Sequence, residues 1–253
     1  MTTLESLKEQ IAVIEKTINN EKELALQLIK KSNDIFQHLP QHLQEDKDIF
    51  LTALKKNSEN IKYIPDKFKN DKKFMLEAFK IDGNSLRYAS AELCANREIV
   101  LEAVKNSGWS LGFASAELQG NREIVLEAVK NFGLALQFAS TELQANREIV
   151  LEAVKNFGLA LQFASTELCA DIEIVLEAVK NSGWALEYAS AELRANRKVV
   201  YAAITVPQCP NGPKHDNFIA LRFADPIFWQ DREIIAIMCK ACKYFYDLRQ
   251  EEL

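Results

Sequence analysis

No apolar run in this chain approaches the ~20 residues needed to span a bilayer. No cluster of lysine and arginine marks a nucleic-acid surface, and the balance is acidic, with a net charge of −5. The stretch MTTLESLKEQ lacks a basic region followed by an apolar core, so it does not read as a secretory signal. The five cysteines are odd in number and, without such a signal, read as reduced thiols rather than a disulfide framework. No stretch alternates apolar and polar residues as a half-buried strand does. These absences argue against a membrane span, a nucleic-acid binder and a disulfide-stapled scaffold. The 48% apolar and 26% charged composition is that of ordinary globular material. The expected location is the cytoplasm or, after translocation, a host cell.

What the chain does have is repetition. Asn121–Ala145 reads NREIVLEAVKNFGLALQFASTELQA, and Asn146–Ala170 repeats it with one change, Cys169 for Gln144. The same pattern is clear over Asp71–Ala95, Asn96–Gly120 and Asp171–Ala195. Asp46–Asn70 and Glu21–Glu45 keep its apolar skeleton. A further unit restarts at Asn196 as NRKVVYAAI, is interrupted by TVPQCPNGPKHDNF, and resumes as LRFADPIFWQ. A half-unit, DREIIAIMCKACKYF, begins at Asp231. A fixed period of this length is the mark of a stacked fold. The expectation is an all-α, helical-repeat solenoid of 25-residue helix-turn-helix units. Residues 1–20 would form an N-terminal capping helix, 21–195 seven units, and 196–253 a divergent repeat with an inserted loop and a C-terminal cap.

Each unit opens on Asn or Asp, residues suited to cap a helix N-terminus. In the unit at Asn121, Ile124, Val125, Ala128 and Val129 then fall on one helical face. Leu126 lies off that face, as expected of a helix sandwiched between neighbouring units. Lys130 suits the helix C-terminus, and Asn131 with Gly133 would supply a left-handed stop. A shorter apolar segment follows, Leu134, Leu136, Phe138 and Ala139, giving helix, turn, short helix, turn. Pro40, Pro65 and the pair Asp225-Pro226 fall at the place of Ser140, as fits a break between elements. In residues 2–19, Leu4, Leu7, Ile11, Ile14 and Ile18 suggest either a capping helix on the first unit or a short coiled-coil seam.

The unit D/N-x-E-I-V-L-x-A-V-x-x-x-G-x-A-L-x-Y/F-A-S-x-x-L resembles the repeat called domain of unknown function 4116, most clearly over 46–195. That family is similar to repeats of protists, large viruses and amoeba-dwelling bacteria, including Legionella-like effector proteins. The resemblance implies a helical repeat with an interaction role, and transfers no catalytic residue. The tail RQEEL is similar to the glutamate-rich tails of type IV secretion substrates.

Two sets of residues could carry chemistry. Cys209, His215, Cys239 and Cys242 form a Cys₃His set of a structural zinc type. However, Cys239 and Cys242 occupy the places of Val129 and Phe132, where apolar packing explains them. Cys209, His215 and Asp216 could form a thiol nucleophile, but one Pro/Gly-rich loop offers no rigid scaffold for it. His38 and His42 are separated by Pro40 and read as solvated. No cofactor is expected.

The charged residues stack in register: Arg97, Arg122, Arg147 and Arg197, broken by Ile172; Glu92, Glu117, Glu142, Glu167 and Glu192; and Glu102, Glu127, Glu152 and Glu177, each three before a lysine. They read either as a solvated face with i,i+3 pairs or as a stripe that docks a partner. Asn106, Asn131, Asn156 and Asn181 read as backbone caps forming a ladder. Cys94 and Cys169 share a place with Gln119, Gln144 and Arg194, too tolerant to be deep core; lying three layers apart, the two thiols cannot form a disulfide. The middle of the short helix varies most: Arg87, Gly112, Gln137, Gln162 and Glu187. Trp109 and Trp184 replace Leu134 and Leu159, filling the core or serving as hot spots. The leading expectation is a non-catalytic protein–protein interaction module, an effector binding a host protein through Arg87, Trp109, Gln137, Gln162, Trp184, Glu187 and Arg194. The alternatives are an inhibitor or adaptor of another bacterial protein, and a metal-binding or thiol enzyme centred on 206–242.

Overall fold

The computed structural model describes residues 17, 20–32, 35–205 and 216–237. Among them all regular structure is helical, without a strand. The chain forms two compact parts, Met1–Asn106 and Ser107–Leu253. The boundary falls inside the unit that opens at Asn96, between its long helix and the turn that follows.

The unit at Asn121 shows how the sequence builds one layer. The Asn121 side-chain oxygen accepts from the N–H groups of Glu123 and Ile124, each at 3.2 Å. This caps a long helix, Arg122–Asn131. Asp46, Asp71, Asn96, Asn146, Asp171, Asn196 and Asp231 cap their helices in the same way, each cap contributing about 1 kcal/mol. Ile124, Val125, Ala128 and Val129 are fully buried, and burial of each larger aliphatic is worth about 1.5–3 kcal/mol. Leu126 is half-buried.

The left-handed stop expected at Asn131 and Gly133 is absent: no described residue has a positive φ. The helix ends instead on Phe132 in extended backbone, φ −147° and ψ 102°. The single short helix expected next is also two elements. Gly133–Phe138 is a 3₁₀ turn with Ala135 and Leu136 buried. Ser140 then caps a separate short helix, Thr141–Gln144, its hydroxyl accepting from Leu143 N–H at 3.4 Å. Ser140 sits at φ −57° and ψ 153°, backbone that proline adopts without strain. Pro40 and Pro65 therefore replace it freely, at φ −52° and −61°.

Layers are joined by three devices. The first is a backbone bond from the N–H of the short-helix cap to the preceding layer: Ser90 to the Lys69 carbonyl at 2.8 Å in the first part, and Ser140 to Gln119, Ser165 to Gln144 and Ser190 to Cys169 in the second. Asp225 makes the same bond to Arg194 at 3.0 Å, so the layering resumes after the insertion. The second is an asparagine clamp. Asn156 accepts from Gly133 N–H at 2.7 Å and donates to the Lys130 carbonyl at 2.8 Å. Asn181 does the same with Gly158 and Lys155, and Asn131 accepts from Gly108. The expected ladder is thus present, and it satisfies groups at the end of the preceding helix that would otherwise lack partners. The third is close approach. A Cβ added to Gly133 would lie 2.5 Å from the Ala153 carbonyl oxygen of the next layer. Gly133 is glycine because of that contact and not because of its own dihedral angles.

The first part uses the same plan with larger side chains. Phe36, Phe50 and Phe74 are fully buried; Phe36 meets Phe50 edge-on at 5.2 Å, and Phe68 stacks on Phe74 at 4.2 Å.

Candidate interaction surface

The structure relocates the charge pairs. Arg122 reaches Glu148, and Arg147 reaches Glu173 and, at 3.2 Å, Asp171. Arg197 reaches Glu233 and Asp231. In the first part Lys72 reaches Glu98, and Lys22 reaches Asp46 and Asp48. These pairs join layers, and the expected i,i+3 pairing of the glutamate row includes Glu177–Lys180 at 3.8 Å. Exposed pairs are worth about 0.2–1 kcal/mol each, so they fix register more than they stabilise. Burial works against ionising Asp171, but the Ile174 amide, Arg147 and the Glu173 amide outweigh it and hold the carboxyl below its ordinary range. Arg197 and the Ile234 amide do the same for Asp231.

The place shared by cysteine, glutamine and arginine is half-buried and serves the turn. Gln144 donates to the Leu136 carbonyl at 3.2 Å, and Gln119 to Leu111 at 3.2 Å. Cys169 directs its sulfur at the Leu161 carbonyl, 3.5 Å away, and Cys94 directs its own at Leu86. Burial raises both thiols above their ordinary value. The two cysteines are thus half-buried thiols, as suits a place too tolerant to be deep core. Arg194 is likewise half-buried.

Exposed apolar groups of the second part lie on its turns and also at Ile172, Tyr201, Ile227, Trp229 and Ile235. Trp109 is 41% exposed, not core, and rests on the next layer, 5.0 Å edge-on from Phe138 and 5.9 Å from Phe132. Phe157 is 38% exposed, while Leu134, Leu159 and Trp184 are half-buried. Of the variable residues beside them, Gln162 and Glu187 are exposed and Gln137 is half-buried. The amide groups of Gln137 and Gln162 donate to their own turns, at Leu134 and Leu159, each at 3.0 Å. Arg87 belongs to the first part, where its guanidinium lies 5.1 Å over the Tyr88 ring. The structure therefore gathers Trp109, Gln137, Gln162, Trp184 and Glu187 on successive turns of one part and leaves Arg87 in the other. Phe132 and Phe157 escaped the sequence reading, which treated their place as core; their spacing two residues before the Trp109/Leu134 place was the available signal.

Seven overlapping matches to the family described as Domain of unknown function (DUF4116) cover residues 21–69, 46–94, 71–119, 96–144, 121–169, 146–194 and 171–211. The chain belongs to this family. Successive matches start 25 residues apart and overlap, so a DUF4116 match takes in two of the structural layers, as suits a unit stabilised by its neighbour. No curated protein and no solved structure matches the chain.

The DUF4116 layers place the remaining candidates as follows. Cys209, His215, Cys239 and Cys242 lie outside the described residues, as does the segment 2–16. Among the described residues no group of three His, Cys, Asp or Glu side chains could hold a metal, and no helix is long and apolar enough to cross a membrane. His38 and His42 are exposed, His42 lying 3.1 Å from Glu21. A shallow groove of about 660 Å³ in the first part lies beside Tyr63 and Pro65. Its Glu45 is already engaged by Gln41 at 2.8 Å and by Lys67 at 3.3 Å.

Proposed function

We propose that this DUF4116 array is a non-catalytic protein-binding scaffold, working through the turn face of its second part. The observation that carries this reading is Trp109. A large aromatic is held 41% exposed on a ring pair of the next layer, while the recurrent polar residues around it are consumed by caps and clamps. Aromatic groups fixed in this way offer contact area at little entropic cost and are enriched at binding hot spots. Gln162 and Glu187 beside them are exposed and differ between layers, which supplies selectivity without altering the scaffold. The mechanism is complementarity of shape and side chains, with no bond made or broken. An effector that binds a host protein is the setting suggested by the family resemblance.

The test is affinity capture from eukaryotic and from bacterial lysate, comparing the native chain with a Trp109→Ser, Phe157→Ser, Glu187→Ala variant of matched thermal stability. A partner captured by the native chain and lost in the variant supports the reading, and its source separates a host target from a bacterial one. A partner retained by the variant overturns the assigned face.

A further inference from the structure

A second surface emerges where the charge ladder stops, independent of the turn face. Ile172 stands where Arg122, Arg147 and Arg197 stand in their layers, and it is 39% exposed. Each of those arginines reaches the glutamate two residues after the next layer's cap: Glu148, Glu173 and Glu233. In the layer after Ile172 that place holds Lys198. The helix Ile172–Asn181 packs on Arg197–Ile204 as Arg147–Asn156 packs on Ile172–Asn181, so register sets Ile172 against Lys198.

Two further departures fall at the same spot. Leu126, Leu151 and Leu176 become Tyr201, which is 39% exposed. Glu127, Glu152 and Glu177 become Ala202. The equivalent of Ala202 in the first part, Glu77, receives Lys47 at 2.6 Å from the preceding layer, which shows that the arginine place can reach this position as well. Apart from Ile172, the helix Ile172–Asn181 keeps the shared sequence from Glu173 to Asn181. Losing one ion pair requires only the changes at Ile172 and Lys198 and predicts polar replacements. Instead two acids are gone, two apolar groups are exposed, and Lys198 makes no ion pair among the described residues.

We propose that Ile172, Lys198 and Tyr201 dock a peptide segment of a partner that carries a carboxylate beside an apolar side chain. The carboxylate pairs with Lys198, whose neighbouring acids have been removed. The apolar group covers Ile172 and Tyr201, exposed area that otherwise faces water at a cost. The ordinary layers present arginine and glutamate already paired at this place, which leaves no uncompensated charge for a ligand; Lys198 has no such acid opposite it.

The test selects a display library of random peptides on the full chain and counter-screens it on Ile172→Arg/Lys198→Glu, which rebuilds the ladder. Enriched peptides should carry Asp or Glu next to Leu, Phe or Trp. They should bind the native chain about tenfold or more tightly than the rebuilt one, and weaken as salt rises. Tyr201→Leu, the residue of the other layers, should weaken them severalfold, and Lys198→Gln gives the same reading should the double variant fold poorly. Enrichment of peptides without acids, equal binding to the rebuilt chain, or no enrichment overturns the proposal. None of these outcomes bears on the turn face, which these substitutions leave intact.

Discussion

Substituting Gly133 by alanine separates two explanations of why the layers carry glycine. Its φ is not positive, so the usual argument from backbone freedom predicts that Gly133→Ala stabilises by about 0.4–1 kcal/mol through the unfolded chain. The structure predicts the reverse. The new Cβ would lie 2.5 Å from the Ala153 carbonyl oxygen and 3.0 Å from both the Phe157 nitrogen and its Cβ. Two of these are backbone atoms of the next layer and the third is a Cβ fixed to that backbone, so none can swing aside as a side-chain tip can. Overpacking of this kind costs about 1–3 kcal/mol, and parting the layers also strains the Gly133 N–H bond to Asn156 at 2.7 Å. The net effect is a loss of about 1–2 kcal/mol, or about 3–6 °C in midpoint for a chain of this size. Gly120→Ala is the control: its Cβ would meet nothing closer than 3.4 Å, and Ala95, Ala145 and Ala195 already occupy that place. It should gain about 0.5 kcal/mol. Thermal and urea unfolding of both variants decide the matter, and a Gly133→Ala chain as stable as the native one would refute close approach as the reason.

Other outcomes follow from the same geometry. Ser85 is fully buried, and its hydroxyl has no hydrogen-bond partner; Ser85→Ala, matching Ala135 and Ala160, should stabilise by up to about 1 kcal/mol in urea unfolding. Asn156→Ala strands the Gly133 N–H and the Lys130 carbonyl and should cost about 1–3 kcal/mol, with faster hydrogen exchange at Gly133. Asp171 and Asp231 are held below their ordinary values, so their contribution is complete at neutral pH and is lost as pH falls through about 4 and below. The melting point should therefore drop more steeply in acid for the native chain than for an Arg147→Met/Arg197→Met variant. Burial of Cys94 and Cys169, with raised thiols, predicts slow alkylation near neutral pH, measured by mass spectrometry.

Local chemistry was legible in the sequence wherever one residue type has one job. Asn121 and its counterparts announced the helix starts, Pro40 and Pro65 marked the short-helix cap, and the apolar stripe of Ile124, Val125, Ala128 and Val129 became the core. What failed was what depends on the neighbouring layer. Gly133 was read as a left-handed stop because glycine serves both positive φ and close approach, and only the second layer distinguishes them. Gly133–Phe138 was read only as a short helix because six residues are too few to separate a 3₁₀ period from an α period. Arg147 was read as part of a solvated face or a partner-docking stripe because Glu173 is near only after stacking. Trp109 faced the same ambiguity: its place holds leucine in other layers, and a half-exposed leucine cannot be told from a buried one by identity.

The central claim is that the repeated residues build the scaffold and the turns of the second part receive the partner. Amide hydrogen exchange on the chain alone and with its captured partner tests this most directly. The account predicts new protection across Gly108–Phe113, Gly133–Phe138, Gly158–Phe163 and Gly183–Tyr188, with the long helices unchanged. Protection confined to the long helices, or to residues 206–242, would contradict it.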